Sequence, residues 1–175
     1  MKGFGESNKQ KRKLKNNKKI KNVDKNLELY NRAINFQKKG SYRQAAEIFN
    51  ILIKSNYHNE QIFLNYATVC QYLKDTKGAV KLFKEAIKIN PNNSIPFFKM
   101  GFILNNYGRF YEAYPFAKRA VVLNPKSWQG YHNLIKILRN LNKPIEAMDI
   151  AKNAIKSFPK NHLFFGLLGD INSDI

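Results

Sequence analysis

Cysteine, acidic residues and long apolar runs are all scarce in this 175-residue chain. Its single cysteine, Cys70, excludes an internal disulfide bond. Its apolar runs fall far short of the ~20 residues that a membrane-spanning helix needs. The lysines that follow Met1 precede no apolar stretch, so we expect no secretory signal and predict a cytoplasmic protein. The length and the 43% apolar content suffice for a core without metal or disulfides.

Acidic residues are outnumbered by basic ones, 12 against 31, which gives a net charge of +19. Ten of the basic residues lie within residues 1–25, where residues 7–22 include only two apolar side chains, Leu14 and Ile20. Such a segment buries too little apolar surface to offset the entropy of ordering it. We predict a disordered, lysine-rich tail at 1–25, which either binds RNA or another anionic surface or is simply a solvated leader.

A 34-residue period is the strongest pattern in the sequence, and it is marked by Pro91, Pro125 and Pro159. Placing these prolines at position 32 of a unit defines repeats at 26–59, 60–93, 94–127 and 128–161. Position 20 is then alanine in every repeat, and eleven of the twelve alanines fall at positions 8, 20, 24 and 27. Small residues in register are what two closely packed helices require where they cross, so each repeat is predicted to be a pair of helices.

This pattern resembles the tetratricopeptide-repeat family, whose unit has a small residue at position 8, alanines at 20 and 27, and a proline at 32. The match covers 136 of the 175 residues. The departures are Arg32, Leu52 and Tyr57 in the first repeat and Ile135 in the fourth. The resemblance implies an all-α fold, a right-handed α-solenoid of four helix-turn-helix units, with residues 162–175 as a terminal helix and partial fifth repeat.

Two local features add to this expectation. Pro115 lies inside an expected second helix, which predicts a distorted or late-starting helix there. The terminal helix has more apolar side chains than one face can bury, which predicts an exposed patch. Self-association or a downstream segment would cover such a patch, and the alternative is a short, frayed helix that folds over itself. The apolar side chains concerned are Phe164, Phe165, Leu167 and Leu168.

The resemblance also implies a groove lined by the first helix of each repeat. Position 6 of that helix is Asn31, Asn65, Lys99 and Asn133. Asparagine can pair with the backbone of an extended peptide whatever its sequence, and the column is similar to the asparagine ladder of O-linked N-acetylglucosamine transferases. The alternative is that asparagine is simply common at this position. The other candidate groove residues are Tyr30, Tyr72, Phe98, His132, Lys136 and Arg139, with Gln37, Gln71, Phe102 and Asn105 beside them.

The sequence favours binding over catalysis. Its histidines and Cys70 have no metal-ligand spacing, and it has no glycine-rich phosphate loop or nucleophile motif, so we expect no catalytic site, metal or cofactor. The leading interpretation is a scaffold that binds a protein or peptide segment in its groove. Two alternatives stay open: the repeat portion of a bacterial glycosyltransferase or sulfotransferase, and RNA or anionic-surface binding through the tail and a lysine ridge. The ridge is Lys54, Lys84, Lys88, Lys118, Lys152 and Lys156.

Overall fold

The computed structural model describes residues 25–173, which form nine α-helices and no strand. This confirms the predicted all-α solenoid class, whereas the predicted tail, apart from Lys25, lies outside the described residues. We call the first helix of each pair, and α9, the A helices (odd numbers) and the second the B helices (even numbers). The helices are α1 (residues 25–38), α2 (Tyr42–Lys54), α3 (Glu60–Tyr72), α4 (Thr76–Ile89), α5 (Ser94–Asn106), α6 (Phe110–Leu123), α7 (Trp128–Asn140), α8 (Pro144–Ser157) and α9 (Leu163–Ser173).

The chain divides into two compact units, Met1–Asp75 and Thr76–Ile175. In the first unit, helices α1 to α3 bury a cluster that includes Ala33, Phe49 and Val69. In the second unit, each helix from α4 to α9 packs against the next one along the chain, and α5 also packs against α7. Neighbouring A helices are therefore in contact in this unit, which brings their side chains onto one surface.

The small residues of the repeat pattern lie where an A helix crosses its B helix. Ala45, Ala113 and Ala147, all at position 20, have no exposed surface. At position 8 of the third repeat, a Cβ added to Gly101 would lie 3.1 Å from the backbone nitrogen of Ala117 and 3.2 Å from its Cβ. Helices α5 and α6 approach so closely that even one methyl group is tightly accommodated.

Every A helix that leads into a B helix ends in the same turn. The residue at position 15 has a positive φ in all four repeats: 76° at Gly40, 60° at Lys74, 71° at Gly108 and 56° at Asn142. In each turn the amide of position 16 donates to the carbonyl of position 11, and the amide of position 15 donates to that of position 12, which is the Schellman arrangement. Lys74 holds this conformation without the freedom of glycine, so its backbone is strained.

Helix α6 corrects one expectation from the sequence. The predicted late start at Pro115 is wrong, since α6 begins at Phe110 and has 14 residues, as α4 and α8 do. The first turn is held by the burial of Ala113 and by an ion pair between Arg109 and Glu112 at 2.7 Å. Pro115 itself is exposed, and it removes one amide donor from the helix.

Helix α9 confirms an exposed apolar surface but corrects which residues form it. Phe164, Leu167 and Ile171 are buried, and the Phe164 ring stacks against that of Phe158 at a centroid distance of 5.9 Å. Phe165 is 50% exposed. The expectation that Phe164 and Leu167 belong to the exposed patch is therefore wrong, because the 164, 167 and 171 spacing puts these side chains on the face that packs on the fourth repeat.

Candidate functional site

In the first unit, two predicted groove residues bind each other. The Nδ2 atom of Asn65 donates to the Tyr30 hydroxyl at 3.0 Å, and Gln61 Nε2 donates to Asn65 Oδ1 at 3.2 Å. Burial raises the pKa of the Tyr30 phenol, while the Asn65 hydrogen bond partly opposes that rise. Both ends of the Asn65 amide are thus already hydrogen-bonded within the protein.

The other two candidates of the first unit lie closer to solvent. Asn31 is exposed on α1. Tyr72 is 60% exposed at the end of α3, where its ring lies parallel to that of Tyr42 with centroids 4.3 Å apart. The Tyr42 ring fixes the plane of Tyr72 and leaves only part of its surface free for a ligand.

In the second unit, Asn133 of α7 lacks the arrangement found at Asn65. Its side chain is buried, with 4% of the residue exposed, and its Nδ2 atom has no hydrogen-bond partner among residues 25–173. By the repeat spacing, Phe98 stands to Asn133 as Tyr30 stands to Asn65, but a phenyl ring offers no oxygen acceptor. The Phe98 ring instead stacks on Phe102, with centroids 6.3 Å apart.

His132 directly precedes Asn133, and Lys99 occupies the position equivalent to Asn133 in the preceding repeat. Both residues are partly buried. Burial lowers the pKa of the His132 imidazole, and the charge of Lys136 lowers it further. His132 is therefore neutral at physiological pH, with one nitrogen able to donate and the other able to accept a hydrogen bond.

A polar cavity of about 480 Å³ lies beside the C-terminal half of α7 and the start of α8. We call it the α7 cavity; it is lined by Lys136, Arg139, Asn140, Asn142 and Pro144. None of these five residues is acidic, and two of them, Lys136 and Arg139, are cationic.

Neighbouring A helices hold two of the cavity residues in place. Arg139 Nη1 lies 3.5 Å from Asp170 Oδ2 of α9, and Asn140 Nδ2 donates to Asn105 Oδ1 of α5 at 2.9 Å. The cavity wall is thus connected by polar contacts to the A helices before and after it.

The sequence named Lys136 and Arg139 but missed Asn140, Asn142 and Asp170. Asn140 lies four residues after Lys136, a spacing that shares one helix face and could have revealed it. Asp170 lies 31 residues after Arg139, and no rule of the repeat pattern pairs these two positions. The described residues also offer no group of three or more His, Cys, Asp or Glu side chains that could hold a metal ion.

Cys70, the one thiol of the chain, is buried in the first unit. Burial raises its pKa to about 11, so the thiol is protonated at neutral pH and is a poor nucleophile. Its side chain fills the core position that the repeat pattern predicts. Within residues 25–173, no helix combines the length and apolar character needed to cross a lipid bilayer.

Comparison with known proteins identifies the repeat. The model of the Tetratricopeptide repeat family matches residues 60–93. MamA from Desulfovibrio magneticus RS-1 is 18% identical and superposes with a TM-score of 0.78 over 86% of this chain and 85% of that one. MamA of AMB-1 is 16% identical, with a TM-score of 0.75 over 86% and 82% of the two chains.

A further solved structure, YrrB, is described as a TPR protein with an unusual peptide-binding site. It is 21% identical, with a TM-score of 0.70 over 79% of this chain and 71% of that one. At these identities the likeness shows a shared fold. No curated protein matches the sequence.

Proposed function

We propose that this chain, whose residues 60–93 match the tetratricopeptide-repeat model, binds an extended peptide or protein segment through the A helices of its second unit. Repeats of this kind supply an extended surface on which another chain can bind. The peptide-binding site named for YrrB supports a ligand of this class.

The unpartnered amide of Asn133 is the observation that carries this proposal. A buried donor without an acceptor costs about 1–3 kcal/mol, so its retention on a predicted binding surface calls for a partner. A peptide carbonyl is an acceptor of the kind that this amide lacks. Asn65, whose amide is bound to Tyr30 and Gln61, has no such need.

Alanine substitution at the two asparagines tests the proposal with a built-in control. A peptide is selected from a random library by the full chain, and its affinity is measured by fluorescence anisotropy. Asn133→Ala should weaken that affinity by about 5- to 150-fold, which corresponds to about 1–3 kcal/mol. Asn65→Ala should lower thermal stability and leave the affinity unchanged.

The outcome against the proposal is equally definite. If Asn133→Ala remains folded by circular dichroism and binds the selected peptide as the wild type does, the amide is not part of the binding site. The proposal then fails for α7.

The two other interpretations stay predictions. RNA binding rests largely on the tail at 1–25, of which all but Lys25 lies outside the described residues. The ridge lysines of the second unit are exposed on the B helices, as a purely solvated face would also be. Membership in a glycosyltransferase or sulfotransferase concerns sequence beyond this repeat array.

A further inference from the structure

Helix α9 has the side chains of an A helix, but no B helix among residues 25–173 covers it. By the repeat spacing, Phe165, Leu168 and Gly169 stand at positions 4, 7 and 8. Positions 7 and 8 of α7, Leu134 and Ile135, are buried, whereas Phe165 and Gly169 are exposed. We call Phe165, Leu168 and Gly169 the open face of α9.

The space on this face is clearest at Gly169. A Cβ added there would meet no atom within 4 Å, whereas a Cβ added to Gly101, at the same position of α5, would lie 3.1 Å from the Ala117 backbone nitrogen. Ala117 belongs to the B helix α6. Glycine inside a helix costs stability relative to alanine, and at Gly169 no close contact within the described residues offsets that cost.

We propose that the open face of α9 docks an amphipathic helix of a partner protein, in the place that a B helix takes in the third and fourth repeats. Small side chains of that helix would cross Gly169, and bulkier ones would cover Phe165 and Leu168. This surface is separate from the groove of the proposed function, so each can fail without the other.

The B helices α6 and α8 define the chemistry of the partner. Both have alanine at positions 20, 24 and 27, and each of these alanines is at most 3% exposed. Residues spaced by four and then three share one helix face. We therefore expect the partner helix to carry small residues at this spacing beside bulkier apolar ones. The alanines are Ala113, Ala117 and Ala120 of α6 and Ala147, Ala151 and Ala154 of α8.

A second copy of this chain fits the open face poorly. The alanine faces of α6 and α8 are already buried, and these helices expose lysines such as Lys118, Lys152 and Lys156. The net charge of +19 also opposes association between copies. A different protein that supplies an unpaired amphipathic helix fits better.

A synthetic copy of α8 is the probe, because its sequence has the required spacing of alanines. The fluorescein-labelled, C-terminally amidated peptide covers Pro144–Ser157, and its binding to the full chain is measured by fluorescence anisotropy. We expect it to bind at least about tenfold more tightly than the same peptide with Ala151→Leu, the counterpart of Ala117. The leucine peptide is the more apolar one, so general hydrophobic attraction would give the opposite order.

Two glycine substitutions then place the probe on α9. Gly169→Leu fills the space on the open face and should weaken binding at least about tenfold. Gly166→Leu is the matched control, since its added Cβ also meets no atom within 4 Å and position 5 is a groove position, as at Phe98 and His132. It should leave binding of the probe unchanged. Leucine favours a helix more than glycine does, so thermal melts should show no loss of stability in either variant.

The groove has its own readout in the same variants. The library-selected peptide should bind Gly169→Leu as it binds the wild type, and it should not displace the α8 peptide. Displacement would place the probe in the groove and overturn the inference, while the proposed function would still be decided by Asn133→Ala.

Four further results would also overturn it. Absence of binding at millimolar peptide rejects the docking surface. Equal or tighter binding of the Ala151→Leu peptide removes the requirement for a small residue. Equal losses at Gly166→Leu and Gly169→Leu show that the open face is not the site. A wild-type dimer in sedimentation that Gly169→Leu converts to a monomer assigns the face to a second copy.

Discussion

Adding a hydroxyl group at Phe98 tests whether Asn65 and Asn133 are equivalent positions that differ only in their hydrogen-bond partners. Phe98→Tyr places a phenol oxygen 35 residues before Asn133, the same separation that joins Tyr30 to Asn65. A buried donor without an acceptor costs about 1–3 kcal/mol, and a new acceptor recovers part of that cost. We expect Phe98→Tyr to raise the free energy of unfolding by about 1 kcal/mol.

The same substitution should weaken peptide binding, because the Asn133 amide is then used within the protein. A loss of about 1 kcal/mol in binding free energy corresponds to an affinity decrease of about fivefold. Tyr30→Phe is the matched control in the other unit. It removes the acceptor of Asn65, so it should lower the free energy of unfolding by about 1 kcal/mol and leave peptide affinity unchanged.

Urea denaturation followed by circular dichroism gives the free energies of unfolding, and anisotropy with the library-selected peptide gives the affinities. If Phe98→Tyr changes neither quantity, the two asparagines are not equivalent and the reasoning is refuted. If it stabilises the protein without weakening binding, Asn133 is a structural residue that does not touch the peptide.

Three further predictions concern a turn, a histidine and the last helix. Lys74→Gly should raise the free energy of unfolding by about 0.5–1 kcal/mol, because the strain that it relieves at a positive φ exceeds the entropy that glycine adds to the unfolded chain. Gly108→Lys at the equivalent turn should have the opposite effect, and thermal melts measure both. A proton NMR titration should give the His132 imidazole a pKa below its ordinary 6.5. The buried neutral imidazole then contributes its full stabilisation above pH 6.5, and this stabilisation is lost as the pH falls through the lowered pKa. A measured pKa at or above 6.5 would contradict the burial of His132. Phe165→Glu should increase solubility with little change in melting temperature, whereas Phe164→Glu should unfold or strongly destabilise the second unit, and equal effects would contradict the assigned faces of α9.

The paired helices could be predicted from the sequence because their requirement for small residues is repeated. Each crossing of an A and a B helix imposes the same limit on volume, so Ala45, Ala113 and Ala147 recur at one position. The limit is strictest where Gly101 packs against Ala117, because a methyl group added to Gly101 would lie only 3.1 Å from the Ala117 backbone nitrogen. A constraint that acts in every repeat leaves a periodic trace in the sequence.

The candidate site was predictable only in part, because its chemistry depends on neighbours in other helices. Position 6 identified Asn65 and Asn133 as equals, but the residue 35 positions earlier decides whether the amide has a partner. Asp170 was missed for a similar reason, since its contact with Arg139 crosses between helices. The late start expected at Pro115 was wrong because a proline removes one amide and strains one turn, whereas the helix start is set by the residues before it, and α6 begins at Phe110.

Helix α9 lies outside the four complete repeats, yet the second unit needs it, so the repeat boundaries do not show where the chain can be truncated. By the 34-residue count, a chain ending at residue 161 keeps every complete repeat, yet it loses the side chains of Phe164, Leu167 and Ile171 that pack on the fourth one. It also loses Asp170, whose carboxylate lies 3.5 Å from the Arg139 guanidinium of α7. A chain cut at residue 161 should therefore be less stable than its number of complete repeats suggests.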